Sequence, residues 1–110
     1  MKLPNGDQAV VELIKLREYC LNTDHPRGRH KARVFAAAPG LTADHAEVLR
    51  ATLLEVARGA DAIAGDRDQY GQRYIIDFTM THGERAAAVR SVWIIRSGEG
   101  FPRLVSCYVV

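Results

Sequence analysis

The spacing of hydrophobic positions changes once along the chain: up to Gly59 they recur at three- and four-residue steps, and after Gln69 they alternate. In the first region AVVELIKLREYCL is apolar at Val10, Leu13, Ile14, Leu16 and Cys20, and its second half, Leu13 to Leu21, fits a short helix. Asn, Asp, Pro and Gly between Asn22 and Gly28 mark a loop. The uninterrupted run from His30 to Ala38, closed by Pro39 and Gly40, predicts a second helix. Thr42 suits the N-cap of a third, with Asp44 in its first turn and an apolar stripe of Leu49, Leu53 and Val56 that stops at Gly59.

The stretch GADAIAGDRDQ, Gly59 to Gln69, is small and charged and reads as a connector or mobile loop. Beyond it Tyr74, Ile76, Phe78 and Met80 alternate with Ile75, Asp77 and Thr79, the two-residue repeat of a strand with one better-buried face. His82 and Gly83 suit a turn, Ala86 to Arg96 a second strand around SVWIIR, and Gly98 to Pro102 a turn into RLVSCYVV. In the second strand Arg90, Val92, Ile94 and Arg96 share one face, while Ser91, Trp93 and Ile95 share the other. The order predicts an α+β domain: two or three N-terminal helices packed on one face of a C-terminal antiparallel meander of three or four strands. A chain of 110 residues fits one such core, spanning 1–110.

Composition agrees with a globular protein, at 47% hydrophobic and 25% charged residues. MKLPNGDQ has no apolar leader and no run approaches a membrane span, so the expectation is a cytoplasmic protein with no membrane partner. Cys20 and Cys107 lie among apolar neighbours and read as buried reduced thiols. The formal net charge is only +2, yet the charge is uneven. Residues 1 to 40 are basic, 41 to 68 acidic and 69 to 110 mildly basic, which favours one electropositive surface.

That surface has a focus in HPRGRHKARVF, His25 to Phe35, which holds Arg27, Arg29, Lys31, Arg33 and two histidines without an acid. On a helical wheel Lys31 falls within the arc of Val34, Phe35 and Ala38, so the cations lie at the N-terminal end of the buried face. Either their stems snorkel to the rim, or the charges line a cleft between helix and sheet and face an anion. The helix start adds backbone N–H groups and a positive dipole end, and Gly28 admits a close approach to the backbone.

Cleaving RNA without a metal needs one group to take the 2′-OH proton, another to protonate the leaving oxygen, and fixed cations for the phosphorus-bound charge. His25 and His30 form a candidate acid/base pair near neutral pH, with Lys31 and Tyr108 as further catalytic candidates. Arg27, Arg29, Arg90, Arg103 and Ser106 are the phosphate-binding candidates; Arg90 and Arg103 stand out because a guanidinium grips an oxyanion with two aligned bonds. Structural roles compete with these: a loop histidine often caps a helix, Trp93 suits the core, His45 lies on an apolar stripe and His82 suits a turn. No close pair of ligands has familiar metal spacing, and no GxGxxG, P-loop, HExxH or GxSxG occurs. Neither metal nor cofactor is expected.

The segments KLREYCLN, HPRGRHKARVF, YGQRYIIDF and VRSVWIIRSGEGFPRLVSCYVV resemble a family of small bacterial domains of unknown function, over nearly the whole chain. Similar domains stand alone or end larger phage-like or polymorphic-toxin proteins, which implies a toxin or its partner. The helices-then-meander order is also similar to the small ribonuclease toxins that include barnase and the colicin-type transfer-RNA nucleases, by analogy of fold. Three expectations follow. The chain is a toxin-type, metal-independent ribonuclease acting on RNA; or a non-catalytic module, antitoxin- or immunity-like or nucleic-acid-binding, with a cognate toxin or antitoxin protein as partner; or a structural homodimer paired through its apolar last strand.

Overall fold

Helices come first and strands last, as the change of period requires. The computed structural model describes all 110 residues. A 3-10 turn, Gly6–Gln8, precedes a short helix, α1 (Leu13–Lys15), which widens into π-type turns over Leu16–Cys20 and closes with Leu21 N–H donating to the Leu16 carbonyl at 2.9 Å. Next come α2 (Arg29–Ala37) and a 3-10 turn, Ala43–His45, that opens α3 (Ala46–Gly59). Four strands follow, β1 (Ile63–Asp68), β2 (Gly71–His82), β3 (Arg85–Arg96) and β4 (Pro102–Val109), antiparallel and in sequential order. No helix is long and apolar enough to cross a membrane.

The expected connector is therefore corrected within Gly59 to Gln69: Ile63–Asp68 is the fourth strand, at the sheet edge against β2. Its side chains stay mostly in solvent, with Ile63 at 71% exposure, so composition carries no strand signal and pairing with β2 imposes the extended state. Gly71, which starts β2, has a φ of 147°, and a Cβ there would collide with the Ile95 carbonyl. Glycine alone lets the chain turn this tightly against β3.

Alternation decides which face the helices cover. Ile76, Met80, Val89, Trp93, Leu104 and Cys107 point into one core with Leu16, Phe35, Leu49 and Leu53 from the helices. Trp93 is fully buried, as its apolar strand predicts, and Ser91 accompanies it. The Ser91 hydroxyl donates to the Ile76 carbonyl at 2.8 Å and accepts the Trp93 indole N–H at 2.9 Å, so no buried side-chain polar atom is left without a partner.

α2 is rotated from the wheel drawn on sequence. Ala32 and Phe35 are its buried residues, whereas Val34 is 44% exposed and Lys31 is exposed too. α2 packs against β4, and the start of that strand is flanked by Val10, whose N–H donates to the Pro102 carbonyl at 2.9 Å and whose carbonyl accepts the Leu104 N–H at 3.0 Å. Asp77, Thr79, Arg90 and Val92 alternate with the core residues and occupy the opposite sheet face, away from the helices.

Candidate functional site

The two-residue turn Gly83–Glu84 sets the register of β2 and β3, because His82 pairs with Arg85 and the ladder then runs without a bulge. That register puts Asp77 opposite Arg90. Arg90 Nε donates to Asp77 Oδ1 at 2.8 Å and Nη2 to Oδ2 at 2.9 Å, a two-bond fork. On the other side of β3 the cross-strand partner of Arg90 is Tyr108 of β4, which adds a smaller contribution to keeping the guanidinium charged. Lys31 then reaches from α2 to the same strand, with its ammonium 4.3 Å from the centre of the Tyr108 ring. Asp77, Arg90 and Tyr108 form a row across three adjacent strands, and Lys31 closes one end.

The hydrogen bonds and charge of Arg90 hold the Asp77 carboxyl below the usual carboxylate range, and Asp77 in turn raises Arg90. Both side chains remain open to water, at 39% and 49% exposure, so the pair is screened and within reach of a ligand. A phosphate arriving here meets a carboxylate, a guanidinium, a phenol and an ammonium within one patch.

The other sequence candidates lie elsewhere or have structural tasks. His25 Nδ1 accepts the N–H groups of Arg27 and Gly28, each at 3.0 Å, and its carbonyl accepts that of Arg29 at 3.0 Å. Of the donors at the start of α2, those of Gly28 and Arg29 are thus taken by His25, whose ring also stands edge-on to Tyr19 at 4.6 Å. Gly28 makes room for the chain itself rather than a ligand: a Cβ there would lie 2.8 Å from the Tyr19 carbonyl oxygen. Arg27, Arg29, His30 and Arg33 are exposed, and none enters a salt bridge.

Arg103 is forked onto Glu99 at 2.9 and 3.1 Å, lies 3.9 Å from Glu12 and stacks over Phe101 near the start of β4. Ser106 lines an open groove of about 630 Å³ beside β4, with Lys15, Glu18, Tyr19 and His25 among its walls. His45 Nδ1 accepts the Thr42 N–H at 3.0 Å, and its ring packs at 4.5 Å on His82. The structure thus joins Lys31, Arg90 and Tyr108, sets His25 and Ser106 in a neighbouring groove, and leaves Arg103 in a separate ion pair. Asp77 escapes the sequence reading because it looks like an ordinary outward residue of an alternating strand; its signal is the register, which the short turn at Gly83 supplies.

No group of three or more His, Cys, Asp or Glu side chains is arranged to hold a metal ion. A solved structure described as a contact-dependent growth inhibition toxin–immunity protein complex from Klebsiella pneumoniae 342 contains a chain of similar fold. The TM-score is 0.66 over 96% of this chain and 96% of that one, at 16% sequence identity. No curated protein matches the sequence. A family model described as a domain of unknown function (DUF6883) matches residues 2–110, and the chain belongs to that family.

Proposed function

We propose that this chain is the toxin-type member of a toxin–immunity pair and that it cleaves RNA without a metal on the helix-free face of its sheet. The observation that carries the reading is the contiguous row Asp77–Arg90–Tyr108 with Lys31 at its end. Likeness of fold to a chain from a toxin–immunity complex supports the setting, while the chemistry is argued from the row alone.

The ionised Asp77 takes the 2′-OH proton, and the freed oxygen attacks the adjacent phosphorus. Charge building on the non-bridging oxygens is met by Lys31 and by Arg90, which shares its guanidinium between Asp77 and the phosphate. Tyr108 gives its proton to the departing 5′-oxygen, leaving a 2′,3′-cyclic phosphate and a 5′-hydroxyl. The base is assigned to Asp77 rather than His25 because the His25 Nδ1 already holds the start of α2. His30, exposed one residue before Lys31, serves binding more than proton transfer. Arg27, Arg29 and Arg33, free of carboxylate partners, extend the cationic surface along α2 for the flanking phosphates.

A second reading, the non-catalytic immunity-like module, draws on a different observation: Arg90 and Arg103 are each already forked onto an acid, as in a surface whose charges are internally satisfied. Expression in a bacterial cell separates the two. The toxin reading predicts growth arrest with fragmented total RNA for the wild type and normal growth for Lys31→Ala. Normal growth of the wild type with intact RNA favours the immunity-like module.

A further inference from the structure

A groove of about 630 Å³ lies between β4 and the turns that follow α1. Ser106 lines it and stands two residues before Tyr108 on β4, where Val92 pairs with Ser106 and Arg90 with Tyr108. The two side chains share a face of the strand, so the groove borders the row. Nothing in the proposed cleavage uses its walls.

Two of those walls are aromatic. The Tyr19 and His25 rings, both half-buried, meet edge-on, with centroids 4.6 Å apart and planes at 72°. They form a corner, in which a flat ring laid against one abuts the other. Ile14 and Val105 add apolar surface. His25 Nδ1 is occupied by the Arg27 and Gly28 N–H groups, which puts the proton of the neutral ring on Nε2 and leaves that N–H as a donor.

Charge decides which part of a nucleotide suits this groove. Lys15 spends its ammonium on the Leu104 and Val105 carbonyls, at 3.3 and 3.4 Å, rather than on a carboxylate. Glu12 lies 3.9 Å from Arg103, whose fork belongs to Glu99. Glu18, exposed at the rim, is in no salt bridge. A phosphate is drawn instead to Lys31 and the free arginines of α2, while the groove offers ring faces, a donor and an unpaired acceptor to an uncharged base.

We infer that the groove is a nucleobase subsite that takes an unstacked base carrying an exocyclic amino group, namely adenine, cytosine or guanine, in preference to uracil. Its place in the reaction rests on the cleavage reading. The amino group donates to the Glu18 carboxylate while the ring of the base lies against the Tyr19–His25 corner. Uracil brings only its N3–H, set between two carbonyl oxygens that the carboxylate repels. Glu18 is thus a specificity-determining residue and takes no part in the bond changes.

The test titrates the four nucleosides, which carry no phosphate and so bypass the row, into the whole chain while NMR follows the Tyr19 and His25 ring protons. Adenosine, cytidine and guanosine are expected to shift both rings and to bind about tenfold more tightly than uridine. Glu18→Gln, at an exposed position, levels the four because an amide both donates and accepts; Tyr19→Leu weakens all of them about tenfold. Should Tyr19→Leu fail to fold, the ring shifts in the wild type and the Glu18→Gln comparison carry the test. Uridine bound as tightly as cytidine, a preference unchanged in Glu18→Gln, or nucleosides that shift neither ring would overturn the inference. Incubation with RNA in EDTA, run alongside, keeps the two readings apart. RNA cut without nucleoside binding at these rings sinks the subsite and keeps the cleavage, whereas intact RNA with amino-selective binding sinks the cleavage and keeps the base site.

Discussion

Arg90 and Asp77 face each other across β2 and β3 and share two hydrogen bonds of 2.8 and 2.9 Å. On a half-exposed sheet face such a fork contributes little to stability. Its consequence is positional, since the carboxylate is kept ionised and aimed along the row toward Tyr108. On the proposed ribonuclease reading, an incoming phosphate would compete with Asp77 for the guanidinium and loosen the fork.

Asp77→Asn therefore separates binding from turnover. It keeps the shape, removes the proton acceptor and frees Arg90 for phosphate. RNA cleavage falls by about a hundredfold or more, while RNA affinity by filter binding holds or rises. A parallel loss of both would show Asp77 acting only as a scaffold.

Lys31→Ala removes a surface cation–π contact of about 0.5–1 kcal/mol, so urea unfolding shifts little. Cleavage drops by at least tenfold, and Lys31→Arg restores part of it. His30→Ala costs less than tenfold. The salt dependence of RNA binding, plotted as log K against log salt, becomes shallower by about one per cation removed at Arg27, Arg29 or Lys31. A slope unchanged in all three variants would place the RNA elsewhere.

Acid stability follows the paired carboxylates. Asp68, Asp77 and Glu99 are all held below their ordinary values, Asp68 chiefly by the Tyr70 N–H and Arg73, Asp77 by Arg90 and Glu99 by Arg103. A depressed folded-state value means that the contribution is complete above the unfolded value, near 4, and disappears as pH falls through the folded one. The melting temperature is expected to hold from neutral pH to about 5 and to decline below about 4. Replacing Asp77 with Arg90, or Glu99 with Arg103, by uncharged residues flattens the decline, each modestly because the groups are exposed.

Ser91→Ala tests the core beneath the site. It strands the Trp93 indole N–H and withdraws a donor from the Ile76 carbonyl, in a fully buried position. The expected loss is about 1–3 kcal/mol by denaturant titration, with Trp93 fluorescence as the probe. Gly71→Ala is more damaging, since its φ of 147° and the Ile95 carbonyl leave no space for a methyl group.

Much of this fold is legible in sequence because local pattern and burial agree. The stripe Leu49–Leu53 makes α3, and the alternation around Ile76 and Trp93 makes β2 and β3. β1 is not legible: Ile63–Asp68 is small, charged and solvent-facing, and only its partner strand makes it extended. The site is half legible. Lys31, Arg90 and Tyr108 stand out by residue type, but which cations meet is a matter of register and of the rotation of α2. Arg90 and Arg103 both look free in sequence, yet Asp77 across the ladder holds the first and Glu99, four residues earlier, the second. Asp77 looks inert until the Gly83–Glu84 turn is taken as fixing its cross-strand neighbour.

The most direct test incubates purified chain with structured RNA in EDTA and analyses fragment ends, comparing wild type with folded Asp77→Asn and Tyr108→Phe. Cleavage is expected from the wild type alone, leaving 2′,3′-cyclic phosphate and 5′-hydroxyl ends. RNA left whole by the wild type, or cut equally by Asp77→Asn, would contradict it.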